Sequence, residues 1–373
     1  MHPRSTPDSW GTPPWLIDFV PQPQVLPAAA DIAVVGGGFT GLAAAAWLRR
    51  LAPRESVVVL EASRIGAGAS GRTGGIVLSE TASGDLPGLG DVLAGFTNIL
   101  EELDVQCDLS LDGAWEIGRS GGLADSPIRW NDSGTVCVVK EVPGGRLDPG
   151  KLVSGLARAA QRLGVMIIED SPTLAVRCSE RVELRLSHGD LSAGKVLFAT
   201  NALSLGLTGL HEGMHPRLAL AVESRPHLEE QLAAIGLSQR KPFYTVDLPY
   251  LWGCVQRDNS IVWGAGLVQS PDSGDLERVD ITLEEPSQIF ASLEGRIRRL
   301  NPALGSVEFS HRWGGPILFR DGWQPVFSWH ANSRNAIVLG AYAGHGVALS
   351  SYLGAWAAEA LLGKRELPDW GAL

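Results

Sequence analysis

The sequence predicts an α/β fold built around a parallel sheet. Three observations carry that expectation. A short apolar run, Ile32-Ala33-Val34-Val35, leads into a glycine-rich turn and an alanine- and leucine-rich stretch, and a second apolar run ends at Glu61. This is the pattern of a β-α-β unit, whose strands are buried on both faces and read as continuous apolar runs. Two later runs, 196–199 and 336–340, have the same character. Helical apolar spacing appears at 148–163, through Leu152, Val153, Leu156, Ala159, Ala160 and Leu163, and again in a closing helix over 348–362.

In chain order, residues 3–27 are rich in proline and carry Trp10, Trp15 and Phe19. They predict an extended arm whose aromatics pack on the body. The first strand follows Asp31, the helix covers 42–51 and stops before Pro53, and the second strand covers 56–60. Beyond the 148–163 helix, 165–168 reads as a strand and 173–178 with 182–186 as a hairpin-like pair. Residues 251–255 and 261–264, joined through Arg257-Asp258-Asn259, read as another hairpin.

Composition narrows the function. Hydrophobic residues make up 45% and charged residues 19%, as in an ordinary globular chain. A formal net charge of −10 argues against a nucleic-acid or anionic-membrane partner. The N-terminus has no continuous apolar stretch, and the run 41–48 is too short to span a bilayer, so a cytoplasmic protein is expected. Cys107, Cys137, Cys178 and Cys254 show no CxxC spacing; they are expected to be buried free thiols, with no metal site.

The chemistry begins at Gly36-x-Gly38-x-x-Gly41, with Phe39 and Thr40 at its end. Gly36 permits the turn after the strand, Gly38 lets the backbone approach a pyrophosphate, and Gly41 lets helix and sheet pack closely. The helix N-terminus offers amides to the phosphates. Glu61, followed by Ala62, stands where a carboxylate accepts from the ribose hydroxyls of a dinucleotide. This unit alone does not separate NAD from FAD. A second glycine-rich loop follows at once, Arg64 to Gly75, with Gly68, Ala69, Ser70, Arg72, Thr73 and Gly74 between them. Beside Glu61, such a loop brings further amides to the same cofactor.

These residues resemble the FAD-dependent amine and amino-acid oxidoreductases, the superfamily of D-amino-acid oxidase, glycine oxidase and monomeric sarcosine oxidase. The resemblance is greatest to the gamma-glutamylputrescine oxidoreductase-like branch, through 36–41, Leu60-Glu61-Ala62, the loop 66–75 and the proline- and tryptophan-containing arm. It implies a Rossmann-like FAD-binding domain from 1–80, 145–205 and 320–373, interleaved with a mixed-sheet α+β substrate domain from 81–144 and 206–319. It also implies that Thr173 and Leu174 pass the adenine, and that Ala199, Thr200, Asn201 and Gly315 return to the cofactor. Gly344, His345, Gly346 and Val347 are implied to lie at the flavin's pyrimidine end. There the helix-start amides stabilise negative charge, and His345 either adds charge or packs as a polar side chain.

The implied reaction is hydride transfer from an amine-bearing carbon to flavin N5, giving an imine that hydrolyses, with no dedicated acid–base pair. Three departures refine it. Glycine oxidase-like relatives clamp a substrate carboxylate with an arginine just after the WxG segment; here Gly314-Gly315-Pro316-Ile317-Leu318 has none, which shifts the expected substrate toward an amine or polyamine derivative. Sarcosine oxidase-like relatives have a lysine where 260–268 has none, leaving O2 or another electron acceptor open. The flavin-tethering cysteine has no counterpart, so FAD is expected to be non-covalent. Arg257 and Arg320 read either as anion binders or as solvated surface groups. Tyr250, Trp252, His311 and Trp313 are candidates for the substrate wall, although aromatics at strand positions also serve as core. A flavin-binding subunit or degenerate module of a larger complex is the alternative. An NAD(P)H-dependent flavin monooxygenase or a disulfide reductase is the less favoured alternative, since no second GxGxxG opens a second nucleotide domain and no CxxC appears. Nothing in the sequence indicates an oligomeric state.

Overall fold

Five parallel strands form the backbone of the first sheet, in the spatial order Ala336–Gly340, Gly189–Phe198, Ala29–Val35, Val57–Leu60 and Met166–Ile168. Val326–Trp329 adds an antiparallel edge. The computed structural model describes residues 7–203, 205–210, 212–269, 276–331 and 333–372. Alternate side chains of the buried strands serve different layers, as the two-residue period requires. Ile32, Val34, Val57, Val59, Leu197 and Ile337 pack against the helices Phe39–Leu51, Pro149–Arg162 and Gly346–Leu361. Ala33, Val35, Val58, Val196 and Phe198 face the other way and join the core that reaches the second sheet. Asp148 caps the second of these helices by accepting from the Lys151 amide at 3.0 Å, and Pro149 stands at its first turn.

The hairpin-like pair lies at Thr173–Cys178 and Val182–Leu186. The strand expected over 196–199 starts seven residues earlier than that, at Gly189. Its first half pairs antiparallel with Val182–Leu186, and residues 192–198 pair parallel with Ala29–Val35. Only its last residues, Val196-Leu197-Phe198, have the unbroken apolar character that marks a central strand.

The second sheet is mixed, in the order Phe309–Arg320, Met214–Ser224, Ile261–Val268, Trp252–Val255, Phe243–Thr245, Ala114–Gly118, Thr135–Val142 and Arg129–Asn131. All neighbours are antiparallel except Phe243–Thr245 with Ala114–Gly118. Trp130, Phe243 and Trp263 meet at centroid distances of 5.0–5.8 Å and fill the core behind it. The helix Glu284–Leu300 packs on the same sheet. All four cysteines are free; burial pushes the Cys107 and Cys254 thiols up to about 12, while Cys137 and Cys178 are only half-buried. Among the described residues no helix is long and apolar enough to cross a membrane, and no cluster of metal-ligating side chains forms.

The arm departs from a purely extended path. Pro7–Trp10 forms a 3-10 turn, and Trp10 is buried with its indole N–H donating to the Leu276 carbonyl. Thereafter the arm runs over the body, where Asp18 N donates to Ser154 Oγ at 3.0 Å.

Candidate active site

The carboxyl ends of the parallel strands and the face of the second sheet enclose one cavity of about 1610 Å³. Clefts for drug-sized ligands hold roughly 300–1,000 Å³. This one suits an extended dinucleotide with space left for a small substrate. Every residue expected at the cofactor lines it except Gly41, Arg64 and Gly75.

The dinucleotide end is built by short-range bonds. Gly38 is the N-cap of the helix Phe39–Leu51, with no side chain to cover the helix amides. A Cβ there would fall 2.7 Å from Ser70 Oγ. Ser70 accepts from Phe39 N at 2.9 Å, so the second loop is bonded directly to the start of that helix. Glu61 Oε2 accepts from Gly37 N at 2.8 Å and Oε1 from Ser63 N at 3.0 Å. Burial pushes its carboxyl above the usual carboxylate range, and the Ser63 and Gly37 amides oppose that shift. Asn201 Oδ1 accepts from Ala341 N at 2.9 Å and ties the turn before the closing helix to the end of a central strand.

Two helix N-termini point into this space. The closing helix begins at Gly346, and Gly344, His345, Gly346 and Val347 all face the cavity. Thr40 Oγ1 and Tyr342 Oη, 2.8 Å apart, bond the two helix starts to each other. Burial lowers the His345 pKa, and its Nδ1 lies 3.4 Å from the Ala343 carbonyl. The charged imidazole is thereby disfavoured, and the positive end of the helix dipole supplies positive potential here.

FAD fits these residues. The buried Thr173 Oγ1 and Ser350 Oγ have no hydrogen-bond partner among the described residues, and both line the cavity. Unpaired buried hydroxyls are costly unless a ligand completes them. A capless helix start, a carboxylate at the strand end and two such hydroxyls are the donor and acceptor set that a flavin dinucleotide needs.

Several expected residues lie elsewhere. Arg64 is exposed, outside the cavity. Gly75 is used structurally, its carbonyl accepting from Leu147 N at 2.9 Å. Gly41 packs against the Gly36 carbonyl, inside the turn. Arg72 lines the cavity, yet its guanidinium is spent on the carbonyls of Ala67, Trp10, Gly11 and Gly314 and lies over the Trp10 ring. Tyr250 and Trp252 do line the cavity. Trp313 and His311 do not. Trp313 is fully buried, donates to the Arg72 carbonyl at 2.9 Å and meets Trp15 edge-on at 5.7 Å, because the N-terminal arm covers it. His311 is held 2.7 Å from Glu223 at the sheet's outer part. Arg257 pairs with Asp108, and Arg320 donates to the Ala372 carbonyl.

Tyr244, Leu267, Ile317, Tyr342 and Ser350 also line the cavity and carried no sequence signal of their own. Tyr342 stands two residues before Gly344, in a segment whose glycines drew the notice instead.

Two substitutions probe this construction. Glu61→Ala removes an acceptor of two amides and should weaken FAD binding about 10- to 100-fold, since hydrogen bonds to charged groups contribute about 1.5–3 kcal/mol. FAD titration of the stripped protein measures it. Trp15 donates its indole N–H to the Gly71 carbonyl at 2.9 Å, so the arm fastens the second glycine loop. Trp15→Ala should cost about 2 kcal/mol of stability. Urea unfolding reads that loss, and a chase experiment should show faster FAD release.

The comparisons agree with the geometry. The model of the family described as "FAD dependent oxidoreductase" (DAO) matches residues 31–360. Gamma-glutamylputrescine oxidoreductase of Escherichia coli (strain K12) is 27% identical over 387 residues, covering 91% of this chain and 85% of its own length. The probable oxidoreductase OrdL of Rhizobium meliloti (strain 1021) is 25% identical over 398 residues, covering 94% and 88%. Among solved structures, glycine oxidase from Geobacillus kaustophilus superposes with a TM-score of 0.72 at 18% identity, over 93% of this chain and 99% of that one. L-proline dehydrogenase from P. horikoshii does so with 0.74 at 18% identity, over 93% and 97%. With its two glycine loops, its strand-end acid and its helix starts converging on one cavity, the chain belongs to the FAD-dependent oxidoreductases of the DAO family.

Proposed function

We propose that this protein oxidises a carbon–nitrogen bond of a small amine or amino-acid derivative, with FAD held non-covalently. The observation that carries the reading is the single cavity shared by the dinucleotide-binding loops and the aromatic face of the second sheet, where Trp252 and Tyr244 stand. The first sheet with its helices would serve as the FAD-binding unit, and the second sheet as the substrate unit. None of the four cysteines is among the described residues lining the cavity, which supports a non-covalent cofactor.

When bound, FAD supplies the acceptor for a hydride from the amine-bearing carbon, and the resulting imine hydrolyses. The chain's part is to bind, orient and desolvate. Trp252 and Tyr244 fix the substrate against the loop 64–75, whose Gly74 lies under the Trp252 ring. The start of the helix Gly346–Leu361 presents its amides where negative charge develops. The E. coli and R. meliloti relatives, which are named as oxidoreductases, support this class of reaction.

Incubating the FAD-loaded protein with candidate amines and an artificial electron-accepting dye should release aldehyde or ketone. Repeating it in air without dye assigns the acceptor: hydrogen peroxide marks an oxidase, and turnover with dye alone marks a dehydrogenase. Absence of carbonyl product under both conditions would favour a flavin-binding subunit of a larger complex.

A further inference from the structure

Resting on the amine reading above, we infer that the substrate is an apolar amine that arrives as its ammonium form, gives up one proton to solvent before oxidation, and bears no carboxylate on the amine-bearing carbon. Among the described residues lining the cavity, the acids and bases other than tyrosine are Glu61, Arg72, Asp170 and His345. Glu61 and Asp170 stand at the dinucleotide end, where Ser171 N donates to the Glu61 carbonyl and Asp170 N to that of Ser63. The Arg72 guanidinium is committed to four backbone carbonyls. Burial disfavours the charged form of His345. The substrate end therefore presents no cation to a carboxylate.

The floor of that end is one cross-strand row. Glu116 neighbours Tyr244, Tyr244 neighbours Trp252, and Trp252 neighbours Gly264. The Trp252 ring lies across Gly264, where a Cβ would sit 1.9 Å from its Cζ2. Trp252 lines the cavity here, and its apolar indole suits an alkyl or aryl body. The Tyr244 hydroxyl lies 2.9 Å from Glu80 Oε1 and 3.0 Å from Glu116 Oε1. A hydroxyl has one proton and donates to one carboxylate at a time. Two acidic side chains thus stand directly behind the wall, while Lys140, the other cross-strand neighbour of Glu116, is exposed. Their field favours an incoming ammonium and opposes a carboxylate.

The test uses pairs that differ only by the carboxylate: 2-phenylethylamine against phenylalanine, and n-pentylamine against norleucine. Each is titrated anaerobically into the FAD-loaded full chain, reading both the shift of the flavin absorption band, for binding, and its bleaching. Each amine should act at a concentration at least about tenfold below that of its amino acid. Glu116→Gln should narrow that ratio to about threefold, with 2-phenylethanol binding unchanged; Glu80→Gln makes the same charge change should Glu116→Gln fail to load FAD. Equal or tighter binding of the amino acids, a ratio unmoved by either variant, or no shift with any member would overturn the inference. Amines that shift the band selectively without bleaching it would uphold the inference and count against amine oxidation. Amino acids that bind equally and bleach would do the reverse.

Discussion

Gly41→Ala is expected to yield a protein that purifies almost without FAD. A Cβ on Gly41 would lie 1.9 Å from the Gly36 carbonyl oxygen and 3.1 Å from Val34 Cγ1. Backbone cannot give way as a flexible side chain can, so the turn between the first strand and its helix must open. That turn sets the direction of the helix amides, the Gly37 bond to Glu61 and the Ser70 bond to Phe39 N. Ordinary overpacking costs about 1–3 kcal/mol, and a clash between backbones exceeds that range. FAD occupancy, read as the ratio of flavin to protein absorbance, should fall below about one tenth. Gly295→Ala is the control, because it lies outside the cavity and its nearest neighbour would be the end of the exposed Arg299 side chain at 3.2 Å. It should retain FAD.

Gly264→Ala should separate cofactor binding from turnover. The new methyl would overlap Trp252 at 1.9 Å and 2.0 Å, and the indole is blocked on its other side by Gly74, where a Cβ would meet it at 2.2 Å. The ring must leave its place on the cavity floor. The residues of the first sheet and its helices that line the dinucleotide end are untouched, so occupancy should stay near the parent's. The bleaching rate with the preferred amine should fall about 100-fold, since misplacing a positioning group by an ångström costs that much. Equal loss of FAD and rate would instead place Trp252 in the cofactor's own support.

These two sites differ in how they could be read from sequence. The first is local: strand, turn, helix and acid lie within 31–61, each with its own period or residue type, and the structure repeats that order at Ala29–Val35, Phe39–Leu51 and Val57–Leu60. The second is assembled from strands distant in sequence. Tyr244 and Glu116 become neighbours only because Phe243–Thr245 pairs with Ala114–Gly118, and Glu80 joins them from a third segment. The stretch 80–142 holds the helix Val92–Glu102 and three strands of the second sheet, none of them marked by a motif. Trp313 was misplaced for a related reason. Its strand face does lead toward Gly315 and Ile317, but an arm some three hundred residues earlier in the chain covers it. Arg72 shows the same limit, since a charge inside a cofactor loop turned out to hold that arm.

An anaerobic spectrum of the purified protein during titration with primary and secondary amines decides the account. The protein should be yellow, and an amine should bleach the flavin band to completion with no nicotinamide present. A flavin band that persists across the whole amine panel, yet collapses on adding NADPH, would contradict it.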